Sequence, residues 1–309
     1  MKWLSWLIGA AFVVAWSSGF VGATLADATD AGVWQVLAWR YLITAALLIG
    51  VCFLLPSARQ AIRSLRVRDL LQQGVLALLA HTVFLGGVFL AARNGLDAGL
   101  SAVVCALQPL LVAAIGSLAF KDRIRPWQWA GMILALGGVA LSVGGIGADG
   151  LGSVVLVTAS LLGLSAAAVL ERAWQPTVPV LVSLTIQVTI AAVVFFTAAM
   201  LIGGLSTDVS PEFVLAIGWL VLLSGLGGYA AFTWCLRHVG ATATSTLLYL
   251  TAPVTMLWGW MMFAQQPAAL QLAGLLIVLI GVTLAMHSGR RHAGKIQRQP
   301  VPSSAFRGR

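Results

Sequence analysis

Apolar residues in this chain come in ten blocks, each about as long as a bilayer's hydrocarbon core is thick. They cover approximately residues 3–25, 32–55, 70–92, 97–120, 126–146, 151–171, 179–203, 212–236, 241–264 and 268–288. A helix crosses that core with about 20 mainly apolar residues, so each block predicts one transmembrane helix. The connections are short, and a polar stretch, 290–309, ends the chain. Two blocks carry a break: Ser101-Ala102-Val103-Val104-Cys105-Ala106-Leu107-Gln108-Pro109 and Ser245-Thr246-Leu247-Leu248-Tyr249-Leu250-Thr251-Ala252-Pro253, 144 residues apart with serine and proline in register. Proline has no amide hydrogen and crowds the preceding turn, so Pro109 frees the carbonyl of Cys105 and Pro253 that of Tyr249. In hydrocarbon such groups are tolerated where protein or a water-filled cavity supplies partners, so both helices are expected to line a cavity, with the prolines as hinges.

The breaks sit inside a longer repeat. At the same offset Gly74 meets Gly218, Arg93 meets Arg237 and Ser101 meets Ser245. One residue shorter, Phe120, Gln128, Gly131 and Gly138 meet Phe263, Gln271, Gly274 and Gly281. The chain therefore divides into 1–147 and 148–289, each with five predicted spans, followed by the tail 290–309. Five is odd, so the second unit enters the membrane from the opposite side, which makes an inverted repeat. Such repeats hold their substrate near the midplane, at the interface of the halves and often at interrupted helices.

Composition agrees with the pattern. Sixty per cent of the residues are hydrophobic and 9% charged, against roughly 25% charged in soluble domains. This is an all-α integral membrane protein. The net charge of +9 is not gathered on one soluble face, so nucleic acid is not an expected partner. Sixteen of the 18 Lys and Arg lie on the side shared by both termini, which is expected to be cytoplasmic. Arg93 lies on the other side and Arg40 within a span. The run after Lys2 resembles a signal peptide, but it exceeds the 7 to 15 residues of a signal core and carries tryptophans, so it is expected to stay as the first helix. The cysteines, Cys52, Cys105 and Cys235, lie in apolar blocks without metal-ligand spacing, and no metal or cofactor is expected.

With the repeat in view, the sequence resembles the drug/metabolite transporter superfamily, and within it the EamA-type ten-helix permeases. The carriers are Trp16-Ser17-Ser18-Gly19-Phe20, Trp39-Arg40-Tyr41, the stretch from Ala92 to Pro109 with its counterpart from Leu236 to Pro253, and the stretch from Phe120 to Leu141. The resemblance implies a basket of ten helices around a central cavity, lined by the first, third and fourth helices of each half, with the fifth and tenth peripheral. It further implies alternating access, usually outward, for amino acids, other metabolites or toxic compounds. A bacterial inner-membrane location follows from the family and from the lack of organelle signals.

The candidate pathway residues are Trp16, Ser17, Arg40, His81, Gln108, Trp234, Tyr249 and Thr251. Gln108 and Thr251 flank the prolines and either bond the freed carbonyls or meet the substrate. His81 is near the midplane, where an ionisable group suggests function; it either contacts the pathway, moves protons, or is held neutral by one interhelical hydrogen bond. Arg40 lies some 12 Å deep at 1.5 Å per residue and either snorkels to the interface or takes a carboxylate or phosphate in bidentate fashion. Arg93 and Asp97, four apart, suit a local ion pair. Trp3, Trp6, Trp127, Trp129 and Trp219 suit the membrane interfaces. Gly131, Gly138, Gly274 and Gly281 suit a small-residue seam, and the basic tail from Arg290 suits anionic headgroups.

Two classes of function compete. A secondary exporter of small metabolites, with or without proton or ion coupling, fits broken midplane helices and scarce central polar groups; drug efflux and lipid flipping use the same scaffold. An enzyme would need a paired acid, base or metal cluster, and the acidic residues lie at loop level. No Walker-type Gly-Lys-Ser/Thr sequence is present, so the chain has no nucleotide site of its own to read. Monomer and homodimer are not distinguished.

Overall fold

The computed structural model describes residues 2–121, 124–147, 150–239, 244 and 247–286. Arg123, Asp149, Ser245 and the basic tail lie outside the described residues. Every regular element among the described residues is helical. Eight are long and apolar enough to cross a bilayer: α1 (Lys2–Asp27), α2 (Val33–Leu54), α4 (Val67–Arg93), α5 (Ala98–Phe120), α6 (Pro126–Val143), α7 (Leu151–Trp174), α8 (Val180–Ile202) and α9, which runs through Pro211–Gly218, Trp219–Gly227 and Gly228–His238. A short helix, α3 (Pro56–Arg63), joins α2 to α4, and two shorter apolar helices follow, α10 (Thr251–Phe263) and α11 (Ala269–Met286). The expected ninth block, 241–264, is thus helical over α10, and most of its first third lies outside the described residues.

Local sequence sets the helix ends. Pro56, Pro126 and Pro211 open their helices, where a missing N–H costs nothing. Ser210 Oγ accepts from Phe213 N–H at 3.1 Å, an ordinary N-cap. At the start of α6 the Gln128 carboxamide oxygen accepts from Arg125 N–H at 2.9 Å. At the start of α11 Gln271 does the same for Ala268 N–H at 3.0 Å. These two glutamines are 143 apart, as are Lys121 and Ala264, the left-handed residues that end α5 and α10. The matched halves therefore share capping devices as well as hydropathy.

A second shared device was not foreseen. α4 widens to π geometry over Leu78–Val83, and α9 does so over Trp219–Gly227. Shifted by 144, the first segment falls inside the second. Each π turn inserts a residue into the ladder and redirects the side chains around it, a feature frequent at functional sites.

α6 and α11 pack together more extensively than any other helix pair and otherwise meet mainly α5. A Cβ at Gly138 would lie 2.7 Å from Gly274 O, and one at Gly281 would lie 2.6 Å from Gly131 O. The register is antiparallel, 131 against 281 and 138 against 274. Gln128 Nε2 donates to Ala285 O at 3.2 Å at one end of the seam, and Ser142 Oγ reaches Gln271 O at 3.5 Å at the other. Lipid tails are as apolar as leucine, so close backbone approach and such bonds, rather than burial, hold membrane helices together.

The tryptophans follow expectation in part. Trp6, Trp127 and Trp129 are exposed. Trp219 departs from the interfacial reading: its indole N–H donates to Ser18 O at 3.0 Å, and its ring meets Trp258 edge-on at 5.2 Å. A donor that finds an acceptor inside the bundle has no need of the headgroup layer.

Gly138→Val should cost about 3 kcal/mol of stability, the upper end for overpacking, because its neighbour is backbone and cannot yield. Gly137→Ala, which meets nothing within 4 Å, should instead gain roughly 0.5–1 kcal/mol. Unfolding of the two purified variants in one detergent, followed by tryptophan fluorescence, checks the pair. Equal midpoints would remove the seam from the account.

Candidate functional site

The two breaks face a common cavity. The α-helical hydrogen-bond ladder of α5 is interrupted at Ala106-Leu107, with the backbone still right-handed, and resumes at Gln108; the mate of this turn is Tyr249-Leu250, after which α10 begins at Thr251. Leu107 N–H turns back to Val104 O at 3.2 Å, and Leu250 N–H to Leu247 O at 3.0 Å, which tightens both ends. Pro109 is the second residue of its helical half and Pro253 the third. The interruption therefore comes before each proline. The physical reason is that proline's fixed φ and absent N–H suit the first turn of a helix, so each proline starts the second half rather than kinking a continuous one.

The cavity between the breaks is bounded by Cys105, Ala106, Gln108 and Pro109 on one side and by Leu248 and Thr251 on the other, with Trp16 and Phe20 of α1 across it. Its volume is about 20 Å³ as swept by the centre of a water molecule, room for roughly one water. A metabolite does not fit without helix movement. Cys105 thus also faces the cavity.

Polar groups tie the site across the halves. Ser17, fully buried, donates to Thr251 O at 3.1 Å. Thr255 Oγ1 donates to the same carbonyl at 2.7 Å, and Thr251 Oγ1 to Leu248 O. Serine and threonine hydroxyls thereby bond carbonyls on either side of the α10 break, Leu248 O before it and Thr251 O after it. Gln108 differs: it lines the cavity, and its carboxamide makes no hydrogen bond to the described residues. Trp16 packs at a tilt against Phe12 at 5.7 Å and against Phe232 at 5.6 Å.

His81 sits in the α4 π turn. Its Nε2 lies 3.2 Å from Gln187 Oε1 and its Nδ1 2.9 Å from the Tyr41 hydroxyl. A carboxamide oxygen only accepts, so Nε2 carries the hydrogen and Nδ1 accepts from tyrosine. Gln187 Nε2 donates in turn to Gln73 Oε1 at 2.6 Å, which also accepts from Ser183 Oγ. A polar chain thus joins α2, α4 and α8. None of Gln73, Ser183 and Gln187 was singled out in the sequence; Gln73 lies in the third apolar block and Ser183 and Gln187 one helical turn apart in the seventh, and only the depth of Gln187 within its block could have drawn notice.

Arg40 overturns the snorkelling alternative. It is 7% exposed, and its Nη2 donates to Ser224 Oγ at 3.3 Å in the π turn of α9. Arg93 overturns the local pair: it meets Asp27 Oδ1 at 3.1 Å and Asp27 O at 3.2 Å. Gly95, at φ +82°, turns the chain between Arg93 and Asp97, so the four-residue spacing is not a helical one. The pair is 44% and 34% exposed, which makes it worth little energetically. Two other candidates stand apart from the cavity lining. Trp234 is 47% exposed and packs edge-on against His238 at 5.7 Å, while Tyr249 is buried with no partner for its hydroxyl among the described residues.

An apolar bundle with two interrupted helices meeting at a buried, partly polar cavity is the build of a membrane transporter. A family model described as the EamA-like transporter family matches residues 1–144 and 151–286. The chain belongs to that family, and the resemblance read from its motifs stands. It is 25% identical over 222 residues, 71% of each chain, to the uncharacterized inner membrane transporter YedA of Escherichia coli K12 and to its counterpart in Escherichia coli O157:H7. A solved crystal structure of a protein at 17% identity superposes with a TM-score of 0.65, covering 94% of this chain and 100% of its own, a likeness of fold alone.

Tyr41→Phe should cost about 1 kcal/mol by removing one hydrogen bond to His81, and His81→Leu about 2–3 kcal/mol by stranding two buried partners. In the double variant the tyrosine cost should disappear, a coupling near 1 kcal/mol. Denaturant unfolding of the four proteins in one detergent measures it; additive costs would dissolve the chain of bonds.

Proposed function

We propose that this protein is a secondary transporter that exports small metabolites, amino acids or related compounds, by alternating access around a midplane site between two inverted five-helix units. The observation that carries the reading is the meeting of the α5 and α10 breaks at one cavity. Interrupted helices at the interface of repeats are where such carriers hold their cargo. The antiparallel register of α6 against α11 supports inversion, because these helices are repeat mates and run in opposite directions. On this reading α10 and α11, with the segment before α10, complete ten spans, and both termini are cytoplasmic by the charge bias. The printed name of the Escherichia coli relative supports an inner-membrane location. Outward direction rests on the family resemblance.

Residue roles follow. Gln108, Trp16 and Thr251 meet the cargo, Ser17 ties α1 to the α10 break, and Pro109 and Pro253 fix the starts of the half-helices that must move when the cavity opens. No step of this work requires bond chemistry, so the protein is read as a carrier and not an enzyme, with no cofactor.

Pro109→Ala should extend α5 through its turn and lower export several-fold while membrane abundance falls much less. The check is an untargeted comparison of the medium around cells carrying wild type, empty vector and Pro109→Ala at matched membrane levels. A small set of metabolites enriched outside only with wild type is the expected result. Equal media from wild type and vector would turn attention to uptake and lipid flipping, and equal media from wild type and Pro109→Ala would sink the hinge.

A further inference from the structure

Arg40 is a buried cation whose charge nothing described balances. Its Nη2 makes one long bond, 3.3 Å, to the neutral Ser224 hydroxyl, and its Nη1 is buried without a hydrogen-bond partner. The guanidinium carbon lies 5.6 Å from the Tyr41 ring centre and 5.9 Å from that of Phe89. Aromatic faces attract a cation but do not use its N–H groups. No described carboxylate forms an ion pair with Arg40. A lysine or histidine here would shed its proton, whereas a guanidinium keeps its charge and offers five donors in a planar fork. Burial of a charge in hydrocarbon without a counter-charge is costly, and such residues mark substrate and ion pathways.

Arg40 and Ser224 lie outside the cavity lining, beside the helix that forms its α1 wall. Ser224 belongs to the π turn of α9, and a Cβ at Gly19 of α1 would lie 3.1 Å from its hydroxyl. The next residue of α1, Phe20, lines the central cavity. The hydroxyl that holds the guanidinium is thus one residue around α1 from the cavity wall, and the absent side chain at Gly19 is what lets it come so close.

We propose that Arg40 is the anion-recognition point of this transporter, and that its cargo carries an oxyanion, a carboxylate or phosphate, which the free edge of the guanidinium takes. This rests on the transporter reading and narrows its substrate class. An oxyanion supplies the missing acceptors and the missing charge together, and the bound pair is nearly neutral while it is sealed from water. Cargo without a negative group would leave the cost of the buried charge unrelieved.

The test uses the full chain in phosphatidylcholine nanodiscs, with thermal unfolding followed by tryptophan fluorescence in a sodium chloride background of fixed ionic strength. Acetate, benzoate and inorganic phosphate are the probes, and benzamide is the uncharged control. At least one oxyanion should raise Tm by about 3 °C at tenfold its dissociation constant, benzamide should not, and Arg40→Gln should abolish the rise. Arg40→Lys should keep a smaller one, because an ammonium cannot bind in bidentate fashion. Without probes, Arg40→Gln should unfold at or above the wild-type temperature, since it removes an unbalanced charge; a drop of several degrees would make Arg40 a structural tie and overturn the proposal. Nanodiscs containing phosphatidylglycerol separate the sources: a rise there that is lost in Arg40→Gln assigns the oxyanion to a lipid headgroup, and a rise with the soluble probes assigns it to a solute. No response from either source, or an equal response in Arg40→Gln, overturns the proposal. Absent export alongside Arg40-dependent binding would fault the transport reading and leave the anion site standing.

Discussion

In a bilayer core, backbone polar groups have no water to fall back on, and that requirement organises this molecule. Most of the helices satisfy it internally. α5 and the stretch leading into α10 do not, because each stops and restarts within its apolar block. The groups freed at such a stop must find partners in protein or in a wet cavity. Here the hydroxyls of Ser17 and Thr255 take Thr251 O and that of Thr251 takes Leu248 O, the carbonyls flanking the second break. The remaining polarity of the first, centred on Gln108, opens to the cavity. The two interruptions are therefore placed against each other, and a site that can be wetted lies between them.

The rest of the bundle divides into parts that hold and parts that are able to change. α6 and α11 approach until backbone meets backbone, and a Cβ at any of Gly131, Gly138, Gly274 and Gly281 would collide. This pair is a rigid brace. The helices with π turns, α4 and α9, carry instead an inserted residue that leaves the hydrogen-bond ladder locally irregular. Their π turns present His81 and Ser224, which bond to adjacent residues of α2, Tyr41 and Arg40. One short motif on α2 thus reads both halves at once: the α9 π turn is felt at a buried cation and the α4 π turn at a half-buried histidine.

Much of this plan was legible in the chain, and what was missed was missed for identifiable reasons. Spans are legible because hydrocarbon imposes length and apolarity on every one, and the repeat because glycines and glutamines recur at fixed offsets. The breaks were read slightly late, at the prolines, since a proline marks the start of a helix as readily as a kink. Arg93 was given the wrong acid because spacing implies contact only along a continuous helix, and Gly95 interrupts it. The chain of His81, Gln187, Gln73 and Ser183 is tertiary. No local pattern pairs lone polar residues more than a hundred positions apart. The π turns left no mark beyond the glycine-rich run Ser224-Gly225-Leu226-Gly227-Gly228, which reads equally well as packing.

The halves share a scaffold but not a chemistry. Capping glutamines, left-handed helix ends, breaks and π turns all recur at an offset of 143 or 144. The polar side chains at the site do not: shifted by 144, His81 falls on Gly225, and Gln108 on Ala252. For a carrier working as proposed, this is the useful combination. Matching scaffolds let the two halves exchange conformations at small cost, so that neither the inward nor the outward state is strongly preferred. Unmatched polar groups give the site one chemical orientation, so that a cargo meets the same guanidinium and carboxamide whichever way the cavity faces. Symmetry governs the motion, and its local failure governs recognition.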